Sequence, residues 1–495
     1  MHSFSLEDLE ERYRRFLEEA EEVAGRLEEI IGDGAIRIIS HLDADGLTSA
    51  GVICSVLNRK DAIYHLSVLR QLTVDDISRL KSEDYDFYVF TDLGSGQLDL
   101  IIKALSEKKK IVVLDHHPPS ASGGDNVIHL NPHLFGIDGA REASSSSVVF
   151  SVAYMLDESN IDLCPLAVVG AIGDRQDKGE DGALVGLNDV FVEEGVRRGY
   201  IEVRKDIKLF GRETRPIHVA LEYTTDPFIP GLTGDRMACL NFVRRVVGIN
   251  IKDSNGRWRT LSDLSEEEKR AFVSGLVNHM IMSGLSSAEA ESIVGIVYTF
   301  PHEKRGSPLR DAREYASLLN ACGRMGYPTI GVIVCMGDRG EFFKRAMDIM
   351  GKYRENLARY VNWLLRNKST AVVEMENIRY VHGGDFIDDR MIGTVISLAL
   401  STRIVNGDKP VLGLAYLKDF PDKVKISART TEKVVQEGVD LGAALRRAIE
   451  ELGLDGIAGG HDIAAGGQIP RGKEEEFLRT VDRIVGSMRR GSNAG

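Results

Sequence analysis

AIRIISHLDADGLTSAGVICSVL (35–57) is the stretch from which the rest of the chain is read. Its opening, AIRIIS (35–40), is apolar and β-branched, which predicts a buried strand, whereas LTSAGVICSVL (47–57) predicts a helix. Asp43 and Asp45 stand where the strand gives way. The rhythm returns in DFYVFT (86–91) before Asp92 and in KIVVL (110–114) before Asp115, His116 and His117, with the capped helical stretch TVDDISRL (73–80) between them. Alternating strand and helix argue for an α/β fold with a parallel sheet covered by helices. In such sheets ligands gather outside the carboxyl ends of the strands. These aspartates and histidines are therefore expected to converge, with Asp174 of GAIGD (170–174) beside them.

Carboxylates around one shared position let two hard divalent ions clamp a phosphoryl group and activate water. Asp43 and Asp45 can each serve one ion if the backbone turns between them, and Asp92 can serve both. Imidazole from His116 in an oxygen-rich set favours manganese or magnesium over a thiolate or all-nitrogen zinc site, and leaves His117 free for a phosphate oxygen. Taken singly the signals are ordinary. One D-x-D is commonly a loop or cap, Asp-His-His can be a hydrogen-bonded turn, and Asp174 alone is a helix terminus. Four such motifs in order, each after an apolar run, point to a site.

At 495 residues the chain exceeds one ordinary core, so about two to four domains are expected. Hydrophobic residues at 43% and charged residues at 28% fit a globular protein. No apolar run approaches the ~20 residues of a membrane span, and the charged start MHSFSLEDLEERYRR lacks a signal-peptide profile; the expected location is the cytoplasm, with no membrane partner. The five cysteines are scattered with no C-x-x-C pair, which suggests neither a disulfide framework nor a zinc ribbon, and reduced thiols are expected. A net charge of −13 argues against wholesale attraction to polyanions, so any nucleic-acid track is local. The basic stretch 197–215 is one candidate, and a solvated mixed-charge surface is the other reading.

Residues 6–31 carry Leu6, Leu9, Tyr13, Phe16, Ala20, Val23, Leu27 and Ile30 at three-and-four spacing, with Ser5 and Asp8 as a capping pair. This predicts one amphipathic helix, packed on its own domain or on a partner helix. The α/β region runs from about 35 to 180. Turn-rich sequence then marks 195–305 as an inserted module. The rhythm resumes with REYASLLNACGRMG (313–326) and TIGVIVCMG (329–337), the latter read as an apolar strand. A helix over 341–367 leads to a last domain with strands in AVVEMEN, IRYVHG, VLGLAYL and KVKISART and a glycine-rich loop, IAGGHDIAAGGQIP (457–470).

HLDADG, FTDLG, LDHH and GAIGD match, in order, the four motifs of the DHH phosphoesterase superfamily, and the chain most resembles its archaeal RecJ-like single-strand exonucleases. LNACGRMG, KISART and AGGHDIAAGG resemble later motifs of that group, so the resemblance covers nearly the whole chain. It implies a helix over 1–34, a DHH catalytic domain over 35–345 with its insertion, a linker helix over 346–370, and a smaller α/β DHH-associated substrate-binding domain over 371–490.

The resemblance also implies a metal set of His41, Asp43, Asp45, Asp92, His116 and Asp174, holding two divalent ions, Mn2+ or Mg2+, with Asp92 bridging. His41 takes a position where bacterial relatives usually carry aspartate. His117 is implied to contact the scissile phosphate and Asp115 to orient a histidine. Asn320, Arg324, Ser427, Arg429, Gly459, Gly460 and His461 are the implied substrate contacts. The activity implied is 5′-to-3′ hydrolysis of single-stranded DNA or RNA in replication or repair, with the GINS complex and MCM helicase as partners. Two other readings stay open: a replicative-helicase scaffold with incidental nuclease chemistry, and a short-oligonucleotide phosphodiesterase.

Overall fold

The computed structural model describes residues 9–105, 107, 109–124, 126–224 and 227–492. Two compact units meet in sequence at Met350 and Gly351.

The first unit opens with α1 (Glu11–Ile30), whose stripe of Tyr13, Phe16, Leu17, Ala20, Val23, Ala24, Leu27 and Ile30 is buried. It packs on α5 (Ser145–Leu156) of its own unit, with Phe16 meeting Phe135 edge-on at 5.4 Å, so the stripe is spent inside the domain. The Ser5 and Asp8 capping pair lies outside the described residues; Glu10 precedes the helix.

Five parallel strands follow: β1 (Ile36–His41), β2 (Tyr64–Leu69), β3 (Phe87–Thr91), β4 (Lys110–Leu114) and β5 (Val127–Leu130), in the order β2-β1-β3-β4-β5. The three strands read from sequence are the three central ones, buried on both faces and therefore almost continuously apolar. Their register carries the residues after β1, β3 and β4 to one edge of the sheet. Around them lie α2 (Ala44–Arg59), α3 (Val74–Ser82), α4 (Leu98–Leu105), α6 (Cys164–Gly173) and α7 (Leu187–Arg197). Thr73 and Asp76 close a reciprocal capping box on α3. Every residue of α2 from Ala44 to Leu57 is buried, because α5, α6 and a later helix all pack against it.

After α7 an antiparallel ribbon pairs β6 (Glu202–Ile207) with β7 (Val294–Thr299). Between them come α8 (Ile217–Glu222), α9 (Arg236–Asn241), α10 (Glu266–Met282) and α11 (Ser287–Glu291). Much of the basic stretch 197–215 is paired internally: Arg197 and Arg198 with Glu194, Arg204 with Glu202, Lys205 with Asp181 and Arg212 with Asp206. Arg215 lies over the Phe210 and Tyr223 rings. The mixed-charge surface, not a basic track, describes most of this stretch.

After α12 (Ala312–Arg324), the apolar run read as a strand is a helix, α13 (Pro328–Cys335). Pro328 occupies its first turn, where no N–H is required, and Gly331, Val332, Val334 and Cys335 are buried, with the helix packed on α2 and α12. A short apolar run buried on most sides has no period to separate the two states.

The long α14 (Glu341–Arg366) carries the chain into the second unit. There a six-stranded sheet has the order β12-β13-β11-β10-β9-β8, built from β8 (Val372–Glu374), β9 (Arg379–Gly384), β10 (Val411–Tyr416), β11 (Lys423–Arg429), β12 (Ile457–Gly460) and β13 (Ala464–Pro470). Only the β9–β10 pair is parallel. The glycine-rich segment expected as a loop is the β12–β13 hairpin. Its glycines permit close backbone approach: a Cβ on Gly467 would stand 2.6 Å from Ile457 O.

Candidate metal centre

β1 ends at His41, and Asp43 caps α2 by accepting the Gly46 N–H at 3.0 Å on Oδ1. Asp45 lies in the first turn of the same helix. The backbone thus turns between the two aspartates, and their side chains part. Asp43 Oδ2 reaches His41 Nδ1 at 3.1 Å, while Asp45 Oδ2 faces His116 Nε2 at 3.8 Å. Asp45 is held by the N-terminus of α5, where Ser145 N donates to Oδ2 at 2.8 Å and Ser146 N to Oδ1 at 2.9 Å.

Asp92 follows β3 in the left-handed backbone region (φ 57). A short polar side chain tolerates that conformation better than most. Its Oδ2 lies 3.2 Å from His41 Nδ1 and its Oδ1 3.6 Å from His116 Nε2. One aspartate therefore shows one oxygen to each half of the cluster. His116 follows β4, and Asp174 caps the carboxyl end of α6.

Among the described residues, three sets of ligand atoms each lie within 4.8 Å of one another: His41, Asp43 and Asp92; Asp45, His116 and Asp174; and Asp92, Asp115, His116 and His117. In the last set Asp115 has the most hydrogen bonds already made. Asp115 Oδ1 already accepts from His116 N (2.8 Å), His117 N (3.2 Å) and His117 Nδ1 (2.8 Å), and Oδ2 accepts from Ser95 N (2.9 Å). Asp115 is thereby engaged in orienting His117, whose ring remains 44% exposed.

The electrostatics follow from the geometry. Burial, reinforced by Asp43 and Asp45, holds the Asp92 carboxyl well above the usual carboxylate range, with His41 opposing. Asp45 is pushed up to about 6 by burial, against the pull of His116, with Asp174 and Asp43 adding to the rise. Burial acts the same way on Asp43, but the His41 charge and the His41 and Gly46 hydrogen bonds outweigh it, so Asp43 lies below its ordinary value. His41 is raised because Asp43 and Asp92 outweigh its desolvation. His117, also desolvated, is raised to about 10 by Asp115. Carboxylates so placed retain protons or lean on imidazolium unless a cation balances them. A donor set of carboxylate oxygens with two imidazoles suits hard divalent cations.

Several supporting residues carried no sequence signal. Ser95, Asn131 and His129 form a buried chain beside Asp115: Asn131 Nδ2 donates to Ser95 Oγ and to His117 O, both at 2.9 Å. His129 Nε2 lies 2.9 Å from Ser95 Oγ. On the other side Gln176 bonds Asp174 and is itself bonded by Asn188. These are isolated polar residues in apolar or loop sequence, and only their spatial juxtaposition distinguishes them.

Of the remaining expected contacts, Asn320 on α12 joins the centre, its Oδ1 accepting the Ala44 N–H at 3.2 Å. Arg324, the last residue of that helix, is partly exposed. Ser427, Arg429, Gly459, Gly460 and His461 belong to the second unit. Ser427 is buried on β11 opposite Gly413 and Gly466. Arg429 bonds Ser397 Oγ (3.1 Å), Ala428 O (2.8 Å) and Ala465 O (3.3 Å). Gly459, Gly460 and His461 are exposed at the β12–β13 turn.

Comparison with known proteins gives consistent matches. Residues 35–171 match the DHH family, N-terminal domain; 209–294 match the DHH-CID domain; and 377–487 match the DHHA1 domain. An uncharacterized protein of Methanocaldococcus jannaschii is 33% identical over 96% of this chain and 99% of its own length. Among solved structures, RecJ of Thermus thermophilus in complex with Mn2+ is similar with a TM-score of 0.57 at 19% identity, covering 95% of this chain. This chain spans only 55% of that RecJ. CDC45 of Entamoeba histolytica is similar with a TM-score of 0.62 at 14% identity, covering 95% of this chain and 99% of its own.

Proposed function

Because this chain belongs to the DHH superfamily and is RecJ-like, we propose that it is a metal-dependent exonuclease hydrolysing phosphodiester bonds at an end of single-stranded nucleic acid. The observation that carries the reading is Asp92, buried, with one oxygen toward His41 and Asp43 and the other toward His116. In this reading His41, Asp43 and Asp92 would hold one Mn2+ or Mg2+, and Asp45, His116 and Asp174, with Asp92, would hold a second. Divalent cations bound there would supply Lewis-acid polarisation of a phosphoryl oxygen and an acidified water. His117, kept cationic by Asp115 at the exposed rim, meets a phosphate oxygen. Asn320 and Arg324 bind the nucleic-acid backbone, and Ser427, Arg429, Gly459, Gly460 and His461 bind further substrate groups. The substrate is DNA, degraded 5′-to-3′ in replication or repair, and the protein associates with GINS.

End-labelled DNA and RNA oligonucleotides, single and double stranded, in manganese and in magnesium, test this reading. Release of a labelled mononucleotide from the 5′ end of single-stranded DNA is expected. Cleavage confined to di- and trinucleotides would favour the short-oligonucleotide reading instead.

A scaffold role is favoured by one observation, the likeness to CDC45 across nearly the full length of both chains. It is separated by function: a scaffold copurifies with replication proteins and shows no cation-dependent hydrolysis.

A further inference from the structure

Gln176 lies two residues beyond Asp174 and is fully buried. The chain folds back on α6 there through Arg175 in the left-handed region (φ 60), with Gln176 N bonded to Ala171 O at 3.0 Å. The Gln176 amide nitrogen donates to Asp174 Oδ2 (2.8 Å) and Gly139 O (2.9 Å). Its Oε1 accepts from Asn188 Nδ2 at 2.7 Å, and Asn188 Oδ1 accepts from Ser144 N (3.1 Å) and Ser147 Oγ (2.6 Å).

The direction of this chain of hydrogen bonds is dictated by its ends. Ser144 N–H can only donate and the Gly139 carbonyl can only accept, so neither amide can be reversed without setting like groups against each other. The Gly139 carbonyl also lies 2.6 Å from His116 Nδ1. Nδ1 therefore carries a proton, and Nε2 is the nitrogen turned toward Asp92 Oδ1 and Asp45 Oδ2. The 3.4 Å between Gln176 Nε2 and His116 Nδ1 is the spacing of two donors on one acceptor, not a bond between them. Only glycine allows this approach, since a Cβ at position 139 would stand 2.1 Å from His116 O.

We infer that Gln176, with its orientation set by Asn188, is a positioning residue that aims His116 Nε2 and the other oxygen of Asp174 at one divalent cation. The inference rests on the reading of the centre as a cation site. Gln176 does this by occupying Asp174 Oδ2 and by sharing the carbonyl that fixes the His116 tautomer. Outer partners of this kind govern both ligand direction and basicity.

Two variants separate orientation from packing. Asn188→Asp keeps the acceptor for Ser144 and Ser147 but sets a second acceptor against Gln176 Oε1, which turns the amide and puts its oxygen onto Asp174 and Gly139. Gln176→Met keeps the length of the side chain and removes the amide. The full chain, stripped with chelator and titrated with MnCl2 alone, is followed by the paramagnetic resonance of free Mn2+, with thermal unfolding in chelator as the measure of fold. The dissociation constant is expected to rise on the order of 10–100-fold in the variants that fold. In the Mg2+-loaded wild type, nitrogen-15 resonances are expected to show the proton of His116 on Nδ1. Mn2+ binding by a folded variant within roughly twofold of wild type, or a proton on Nε2, overturns the inference. A wild-type chain that takes up no Mn2+ removes the cation centre and the inference with it, whereas normal wild-type uptake beside unaltered variants overturns only the role of Gln176.

Discussion

Asp92 Oδ2 and His41 Nδ1 lie 3.2 Å apart, and the same nitrogen is 3.1 Å from Asp43 Oδ2. A protonated imidazole there supplies the positive charge that the two carboxylates demand. Once deprotonated, the same nitrogen becomes a donor to a cation. Cation uptake and proton loss are thereby linked at one atom.

Binding of Mn2+ should therefore release protons, and affinity should rise with pH. Asp45, raised to about 6, is the carboxyl whose proton competes most directly near neutrality. The expected dissociation constant falls as pH is raised from about 5 to about 7 and goes on falling above that, because His41, raised by Asp43 and Asp92, must also give up its proton. Calorimetry in buffers of different ionisation enthalpy measures the protons released; a heat independent of buffer would contradict the linkage.

Asp92→Asn should abolish cation-dependent hydrolysis, by more than the roughly 100-fold that an outer partner costs, yet stabilise the chain in chelator. The sign follows from the raised carboxyl of Asp92. The folded chain keeps a proton that the unfolded chain loses near 3.8, so stability from this group is greatest below that pH and declines as pH rises above it. Asparagine removes the decline and accepts the left-handed backbone, whereas alanine would add strain of about 1–2 kcal/mol. Thermal unfolding at pH 7 in chelator is expected to shift upward by roughly 2 °C or more. A lower midpoint would show that the repulsion is not relieved.

Asp115→Asn should bring the alkaline limit of turnover down. In the intact protein His117 stays cationic up to about 10 because Asp115 faces its Nδ1. Without that charge the limit falls toward the ordinary imidazole value of about 6.5. The native pair stabilises the fold fully below about 6.5, and this contribution is lost as pH rises through 10. The pH profile of kcat/KM reads the shift directly, and an unmoved limb would remove His117 from phosphate contact.

Arg429→Ala should raise KM for a long single strand by about tenfold or more, the loss of a charged hydrogen bond of roughly 1.5–3 kcal/mol. Mn2+ affinity should not change, because Arg429 belongs to the second unit and none of the three candidate ligand sets includes a residue of that unit. Equal KM for variant and wild type would place its guanidinium in a purely structural role on Ser397, Ala428 and Ala465.

The legible part of the fold was the part with an unambiguous period. β1, β3 and β4 announce themselves because both faces are buried, and Thr73 with Asp76 writes a capping box into α3. β2, only partly buried, and the four-residue β5 lack that contrast. Pro328 starts a helix in a run whose apolar residues would serve either state. The acidic and imidazole positions after the strands were legible because strand direction alone brings them to one edge. Gln176 and Asn188 were not, since a glutamine and an asparagine twelve residues apart acquire meaning only when α6 and α7 bring their amides to 2.7 Å.

The passage of α6 from Cys164 to Gly173 carries a consequence for how this protein can be divided. The DHH N-terminal match ends at residue 171, inside that helix, before Asp174, Gln176 and Asn188. A fragment cut there keeps the sheet and five of the six candidate ligands but loses the sixth, Asp174, together with Gln176 and Asn188. The matched stretch is thus shorter than the stretch that carries all six candidate ligands, and complementation by separate halves would have to be tried with a break placed after Asn188.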